Sequence, residues 1–167
     1  MNLSLGQDSF PLMLTNKAAL ITRGSEDAES LEIKLRALSL IPLVDSLIKV
    51  TFLKGAELKL EGVQALLMTS ANGVRAFAKR SKSRNLLVYA VGDGTANEAK
   101  NQGFSSVKSA SGDVVALTKL VHKFVKPENG LLYHIRGSHV AGNLKQQLIS
   151  HGYKYRSDIL YRVTEAE

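Results

Sequence analysis

Residues 65–103, ALLMTSANGVRAFAKRSKSRNLLVYAVGDGTANEAKNQG, are two strand–turn–helix units in direct succession. Leu66–Met68 is an apolar run that stops at Thr69-Ser70, and Asn72-Gly73 opens a helix. Leu86–Val91 is a second run, ending at Gly92-Asp93-Gly94-Thr95 with another helix behind it. Strands joined through helices lie parallel, so their carboxyl ends face one way. Both hydroxyl-bearing turns therefore point into one crevice, where open α/β sheets bind ligands.

The alternation runs through nearly all of the chain. Ala18–Thr22 reads as a strand, and Ser25 as the N-cap of a helix carrying Ala28, Leu31, Leu35 and Leu38 on one face. Pro42 keeps Ile41–Val44 extended. Further strands are expected at 46–53, 63–68, 86–91, 107, 131–135 and 153–163, with helices at 71–79, 95–102, 113–124 and 142–151. Gly103 and Gly152 are natural helix stops. The pattern predicts an α/β fold, flavodoxin-like or Rossmann-like, with a mostly parallel sheet and helices on both faces. A lone strand and helix cannot bury both of their apolar sides. The expected organisation is therefore a loose leader at 1–16, the first β-α unit of an incomplete domain at 17–44, a complete domain at 45–159, and a return linker starting at 160–167.

Composition removes several chemistries. With no cysteine among 167 residues, disulfides, thiolate metal sites and thiol nucleophiles are excluded. No run approaches the ~20 apolar residues of a membrane span, and the N-terminus lacks the basic region of a signal peptide. The net charge of +7 is unevenly spread. No acid lies between Glu61 and Asp93, where Arg75, Lys79, Arg80, Lys82 and Arg84 fall. None lies between Glu128 and Asp158, where Arg136, Lys145, Lys154 and Arg156 fall. Such a field suits a polyanion. It equally suits cations placed at helix C-termini. No aromatic residue interleaves the 79–84 cluster, so base stacking has no support there.

The individual motifs are weak. Gly92-Asp93-Gly94-Thr95-Ala96-Asn97 begins like a dinucleotide fingerprint but ends on Asn97, and Asp113, at the right distance for the ribose-binding acid, opens a helix instead. Thr95 reads either as that helix's cap or as a ligand contact. Ser70 or Asn72 reads as an N-cap able to touch ligand as well. No GxSxG elbow surrounds Ser70. His122, His134, His139 and His151 show no metal spacing and read as satisfied surface residues. Arg136, closing a strand before Gly137, can fork onto a carboxylate or make a surface salt bridge. Tyr161 could simply pack.

In order, these pieces resemble the uroporphyrinogen-III synthase family. The resemblance runs through Ala19–Arg23, Met68–Arg75, Val88–Ala96, Gly103-Phe104, Ser109–Asp113, Leu132–Gly137 and Leu160–Arg162. It implies a two-domain α/β enzyme whose chain leaves its first domain, builds the second and returns. It further implies cyclisation of hydroxymethylbilane, a linear tetrapyrrole polycarboxylate, with inversion of the last pyrrole ring and loss of water, in tetrapyrrole (haem) biosynthesis. No cofactor or metal is expected, nor any nucleic-acid or membrane partner. The location implied is the cytoplasm, and the complete protein is expected to be monomeric. By position, Tyr161 matches the family tyrosine favoured to assist hydroxyl departure, and Ser70 and Thr95 match residues of the interdomain cleft. Thr22, Arg23, Thr69, Asn72, Gly92, Arg136 and Gly137 complete the expected substrate-binding set. Family members are longer, so the chain reads as a truncated synthase with little or no turnover alone. The competing expectation is a non-catalytic basic α/β module that binds nucleic acid or another polyanion.

Overall fold

The computed structural model describes residues 17–139 and 142–166; the expected leader at 1–16 lies outside the described residues. They form two compact units, one of residues up to Lys49 together with Ala166, the other Val50–Glu165.

In the first unit, β1 (Ala18–Ile21) and β2 (Ile41–Val44) pair in parallel, from Ala18 opposite Ile41 to Ile21 opposite Val44. Helix α1 (Ser25–Ala37) connects them. Pro42 sits within a strand that has one neighbour, where its missing N–H costs no ladder bond. The N-cap is Gly24 rather than the expected Ser25.

The second unit is the larger. Its six-stranded sheet has the order β3-β8-β7-β4-β5-β6, with β3 (Ile48–Phe52) beginning at the boundary between the units. The others are β4 (Val63–Met68), β5 (Leu87–Ala90), β6 (Val107–Ser109), β7 (Leu131–Gly137) and β8 (Lys154–Glu165). The pairs β4–β5, β5–β6, β4–β7 and β7–β8 are parallel, whereas β3 runs antiparallel to β8, the Leu53 N–H bonding the Leu160 carbonyl and the Ala166 N–H the Leu47 carbonyl. The connecting helices are α2 (Ala71–Arg80), α3 (Asp93–Asn101), α4 (Val114–Phe124) and α5 (Leu144–Ser150).

Strand β4 shows why the layers form. Its side chains alternate between faces, and both faces are apolar. Leu66 and Met68 join Val74 and Phe77 of α2 and Ala99 of α3. Ala65 and Leu67 join Leu117 and Val121 of α4 and Leu144 and Leu148 of α5. Leu66, Leu67 and Met68 are fully buried, each stabilising the fold by about 1.5–3 kcal/mol.

The chain goes from β4 outward to β5 and β6, then crosses back to place β7 and β8 on β4's other side. Helix α2 leaves β4 toward one face and α5 leaves β7 toward the other. The crevice at a topological switch point therefore lies between the carboxyl ends of β4 and β7. The predicted helix stops hold: Gly103 and Gly152 follow α3 and α5 at φ +90° and +83°, where a Cβ would be strained.

Candidate active site

The carboxyl end of β4 delivers Thr69 and Ser70, both half-buried. Ser70 is the N-cap of α2, its Oγ accepting from the Asn72 backbone N–H at 3.0 Å. The Asn72 side chain is held along the helix, where its Oδ1 accepts from Arg75, which also meets Glu98 of α3 at 3.1 Å. Gly73 lets the first turn of α2 press on β7, where a Cβ would stand 3.0 Å from the Ile135 carbonyl oxygen.

Thr69 opens a polar chain that runs through the buried His134. Its Oγ1 lies 3.0 Å from His134 Nε2, and His134 Nδ1 lies 2.7 Å from the Tyr155 hydroxyl. His134 is 1% exposed, which corrects its reading as a surface histidine. A strand with both faces covered carries an inward side chain at every position. Burial, and after it the positive charge of Arg136, hold its pKa down at about 4, so the ring is neutral at physiological pH. Sequence reasoning singles out neither His134 nor Tyr155 as a site residue. The signal available is a histidine inside an apolar β-run, where burial requires partners for both ring nitrogens.

Arg136, at the end of β7, donates from Nε to Ser157 Oγ at 3.3 Å and from a terminal nitrogen to the Gly137 carbonyl at 3.1 Å. Among the described residues it has no carboxylate partner, so the expected alternative of a surface salt bridge is not formed. It lines a cleft of roughly 230 Å³ with Tyr155, Ser157, Asn143 and Lys145.

Tyr161 lies on the other face. Its ring belongs to the core layer under α2 and rests against Gly137. A register shift after Arg136 makes this possible: Arg136 faces Ile159, whereas Gly137 faces Tyr161. The extra residue, Leu160, is a bulge, and Leu160 and Tyr161 are both buried. Among the described residues no hydrogen bond engages the Tyr161 hydroxyl, and it is not sealed from solvent.

Helix α3 begins two residues earlier than expected. Gly92 is its N-cap, so Thr95 lies in the first turn, nearly buried, and is not the cap. Asp93 accepts from Ser109 Oγ at 2.6 Å and Ser111 Oγ at 2.8 Å, and those bonds hold its carboxyl below the usual range. They join the carboxyl ends of β5 and β6.

Within Val50–Glu165 the structure thus brings Thr69, Ser70, Arg136, Gly137 and Tyr161 to one end of three adjacent strands, with Asn72, Gly92 and Thr95 at the first turns of α2 and α3. Arg136 and Tyr161 are directed to opposite faces of the sheet. Thr22 and Arg23 are exposed residues of the first unit; the Leu47 N–H bonds the Thr22 carbonyl, and Ser46 Oγ the Arg23 carbonyl.

Much of the 75–84 charge cluster serves the fold. The Arg84 guanidinium donates to the carbonyls of Ala78, Ser81, Ser83 and Gln102 and lies over the Phe104 ring. Arg80 donates to the carbonyls of Leu53 and Ala56. Arg84 thereby closes the C-terminal end of α2, and Arg80 ties that end to the 53–56 segment. Among the described residues no helix is long and apolar enough to cross a membrane.

What results is a doubly wound, open α/β domain with hydroxyls, the Arg136 guanidinium and the phenols of Tyr155 and Tyr161 around its switch-point crevice. The chain belongs to the uroporphyrinogen-III synthase family: the family model described as Uroporphyrinogen-III synthase HemD matches residues 29–167. Among solved structures it is similar to a uroporphyrinogen-III synthetase from Helicobacter pylori, with 19% identity and a TM-score of 0.57, covering 77% of this chain and 57% of that one. It is also similar to a mutant uroporphyrinogen III synthase from Thermus thermophilus, with 17% identity and a TM-score of 0.54, covering 90% of this chain and 64% of that one. At these identities the likeness concerns the fold, and the chain spans less than two thirds of either structure's length. No curated protein sequence matches the chain.

Proposed function

We propose that this chain carries the catalytic chemistry of a uroporphyrinogen-III synthase: closure of hydroxymethylbilane to uroporphyrinogen III, with inversion of the last pyrrole ring and loss of water. The observation that carries the reading is family membership across residues 29–167, on a fold whose polar residues gather at the carboxyl ends of β4, β7 and β8.

The chemistry asks little of the protein in reactive groups. Electron donation from the pyrrole nitrogen expels the terminal hydroxyl and leaves an azafulvene-like cation. The substituted carbon of the last ring attacks it, and the spiro product fragments and recloses inverted. The protein must fold the substrate, disfavour uninverted closure and offer a weak acid at the departing hydroxyl. In this reading Tyr161 supplies that acid. Ser70, Thr69, Asn72, Thr95 and the backbone at Gly92 and Gly137 orient the substrate, and Arg136 takes one of its carboxylates. Thr22 and Arg23 are kept in this reading as candidate substrate contacts. The protein is read as a cytoplasmic monomer in tetrapyrrole biosynthesis.

The test is incubation of the chain with hydroxymethylbilane and separation of the product isomers. A type III fraction above that of the protein-free reaction is the expected result, detectable even at low turnover. An isomer ratio identical with and without protein overturns the reading.

A further inference from the structure

The polar chain Thr69–His134–Tyr155 carries one more hydrogen than its own two bonds use. A neutral imidazole carries one N–H and one lone pair. The three groups hold three exchangeable hydrogens, one each on Thr69, the ring and Tyr155, and make two hydrogen bonds among themselves, at 3.0 and 2.7 Å. One hydroxyl hydrogen is always left over. If the ring hydrogen sits on Nδ1, it is donated to the Tyr155 oxygen and Thr69 donates to Nε2; the Tyr155 hydrogen is then free for a further acceptor, Ser157 or a ligand in the cleft. If it sits on Nε2, it is donated to Thr69 and Tyr155 donates to Nδ1; the Thr69 hydrogen is then free. The two arrangements contain the same atoms and differ in which ring nitrogen is protonated.

The two ends open at different places. Thr69 is half-buried at the carboxyl end of β4. Tyr155 lines the cleft with Arg136, Ser157, Asn143 and Lys145, where Arg136 has no acid partner among the described residues. A carboxylate drawn there by Arg136 accepts hydrogen bonds only.

We propose that His134 is a positioning residue of this site, coupling the cleft to the crevice: a carboxylate accepting from Tyr155 in the Arg136 cleft places the ring hydrogen on Nδ1 and turns the Thr69 hydroxyl into an acceptor toward the other ligand group. The coupling is reciprocal, so a group accepting from Thr69 disfavours a carboxylate beside Tyr155, and a donating group at Thr69 favours it. A flexible polycarboxylate with both donors and acceptors is thereby held in one orientation. The proposal rests on the functional reading above only in taking carboxylate as the cleft's ligand.

The experiment is nitrogen NMR of the chain with ¹⁵N-labelled histidine, reading the His134 tautomer, with succinate as the carboxylate probe. An unsatisfied buried N–H is worse than an unsatisfied lone pair, so Thr69→Val should shift the hydrogen to Nδ1 and Tyr155→Phe should shift it to Nε2. Thr69→Ser should keep the wild-type distribution. Succinate should move the wild type toward Nδ1 and leave Tyr155→Phe unmoved. One tautomer common to all variants, or a succinate response that survives Tyr155→Phe, overturns the proposal. The wild-type titration stands alone if a variant fails to fold: no tautomer change at saturating succinate sinks the coupling. The measurement needs no turnover, so a tautomer shift in a chain inactive on hydroxymethylbilane would retire the synthase reading and keep the relay.

Discussion

The Tyr161 ring occupies the space that a side chain would take at Gly137. A Cβ there would stand 2.7 Å from Cε2 and 3.1 Å from the phenolic oxygen. The β8 bulge brings Tyr161 opposite Gly137. Gly137→Ala should therefore displace the ring, lower stability by about 1–3 kcal/mol through overpacking, and reduce any type III product. Urea unfolding and isomer analysis of the same preparation check both effects.

Tyr161→Phe keeps the ring against Gly137 and removes only a hydroxyl with no protein hydrogen bond among the described residues. Stability should change by less than about 0.5 kcal/mol. Formation of type III product should fall about 10²-fold or more, the usual contribution of a positioned proton donor. Equal rates for the two proteins remove the phenol from the mechanism.

His134 makes stability depend on pH. Its native pKa of about 4 lies below the ordinary 6.5, so between those values the unfolded chain binds a proton that the native protein refuses. Stability contributed by the neutral ring is complete above pH 6.5 and is lost as pH falls toward 4. The loss is on the order of 3 kcal/mol. Denaturant midpoints from pH 4 to 8 should show the slope, and His134→Gln should flatten it.

Helices α2 and α3 are joined by Arg75 and Glu98, whose side chains are each 15% exposed. Glu98 also accepts from Gln102 at 2.9 Å. Glu98→Gln removes the charge from a largely buried pair and should cost about 1–3 kcal/mol, read as a lower unfolding midpoint with an unchanged denaturant slope.

Arg84→Lys removes the planar fork that reaches four carbonyls and should destabilise by about 1–2 kcal/mol. Lys82, exposed in the same run, should tolerate alanine within about 0.5 kcal/mol. Comparing the two thermal transitions tells a structural cation from a solvated one.

Local chemistry was enough for the architecture. Apolar runs ending in small polar turns and followed by helical stripes can bury both sides only as a parallel sheet between helix layers, and Gly103 and Gly152 mark chain reversals that only glycine tolerates easily. It was also enough to put Thr69, Ser70 and Gly92 at strand ends, because a strand ends where its apolar run ends. Cap placement was less legible: Gly24 and Gly92 cap α1 and α3 where Ser25 and Thr95 were expected, since a small shift along the backbone leaves the helical pattern unchanged. The roles of Arg80 and Arg84 were hidden too, because a charge count does not show which carbonyls a guanidinium will reach. The His134–Tyr155 contact, the facing of Gly137 by Tyr161, and the turning of Arg136 and Tyr161 to opposite faces all come from the register of β7 against β8. Register is decided by whole-strand packing and by one bulge at Leu160, and no window of neighbouring residues contains that information.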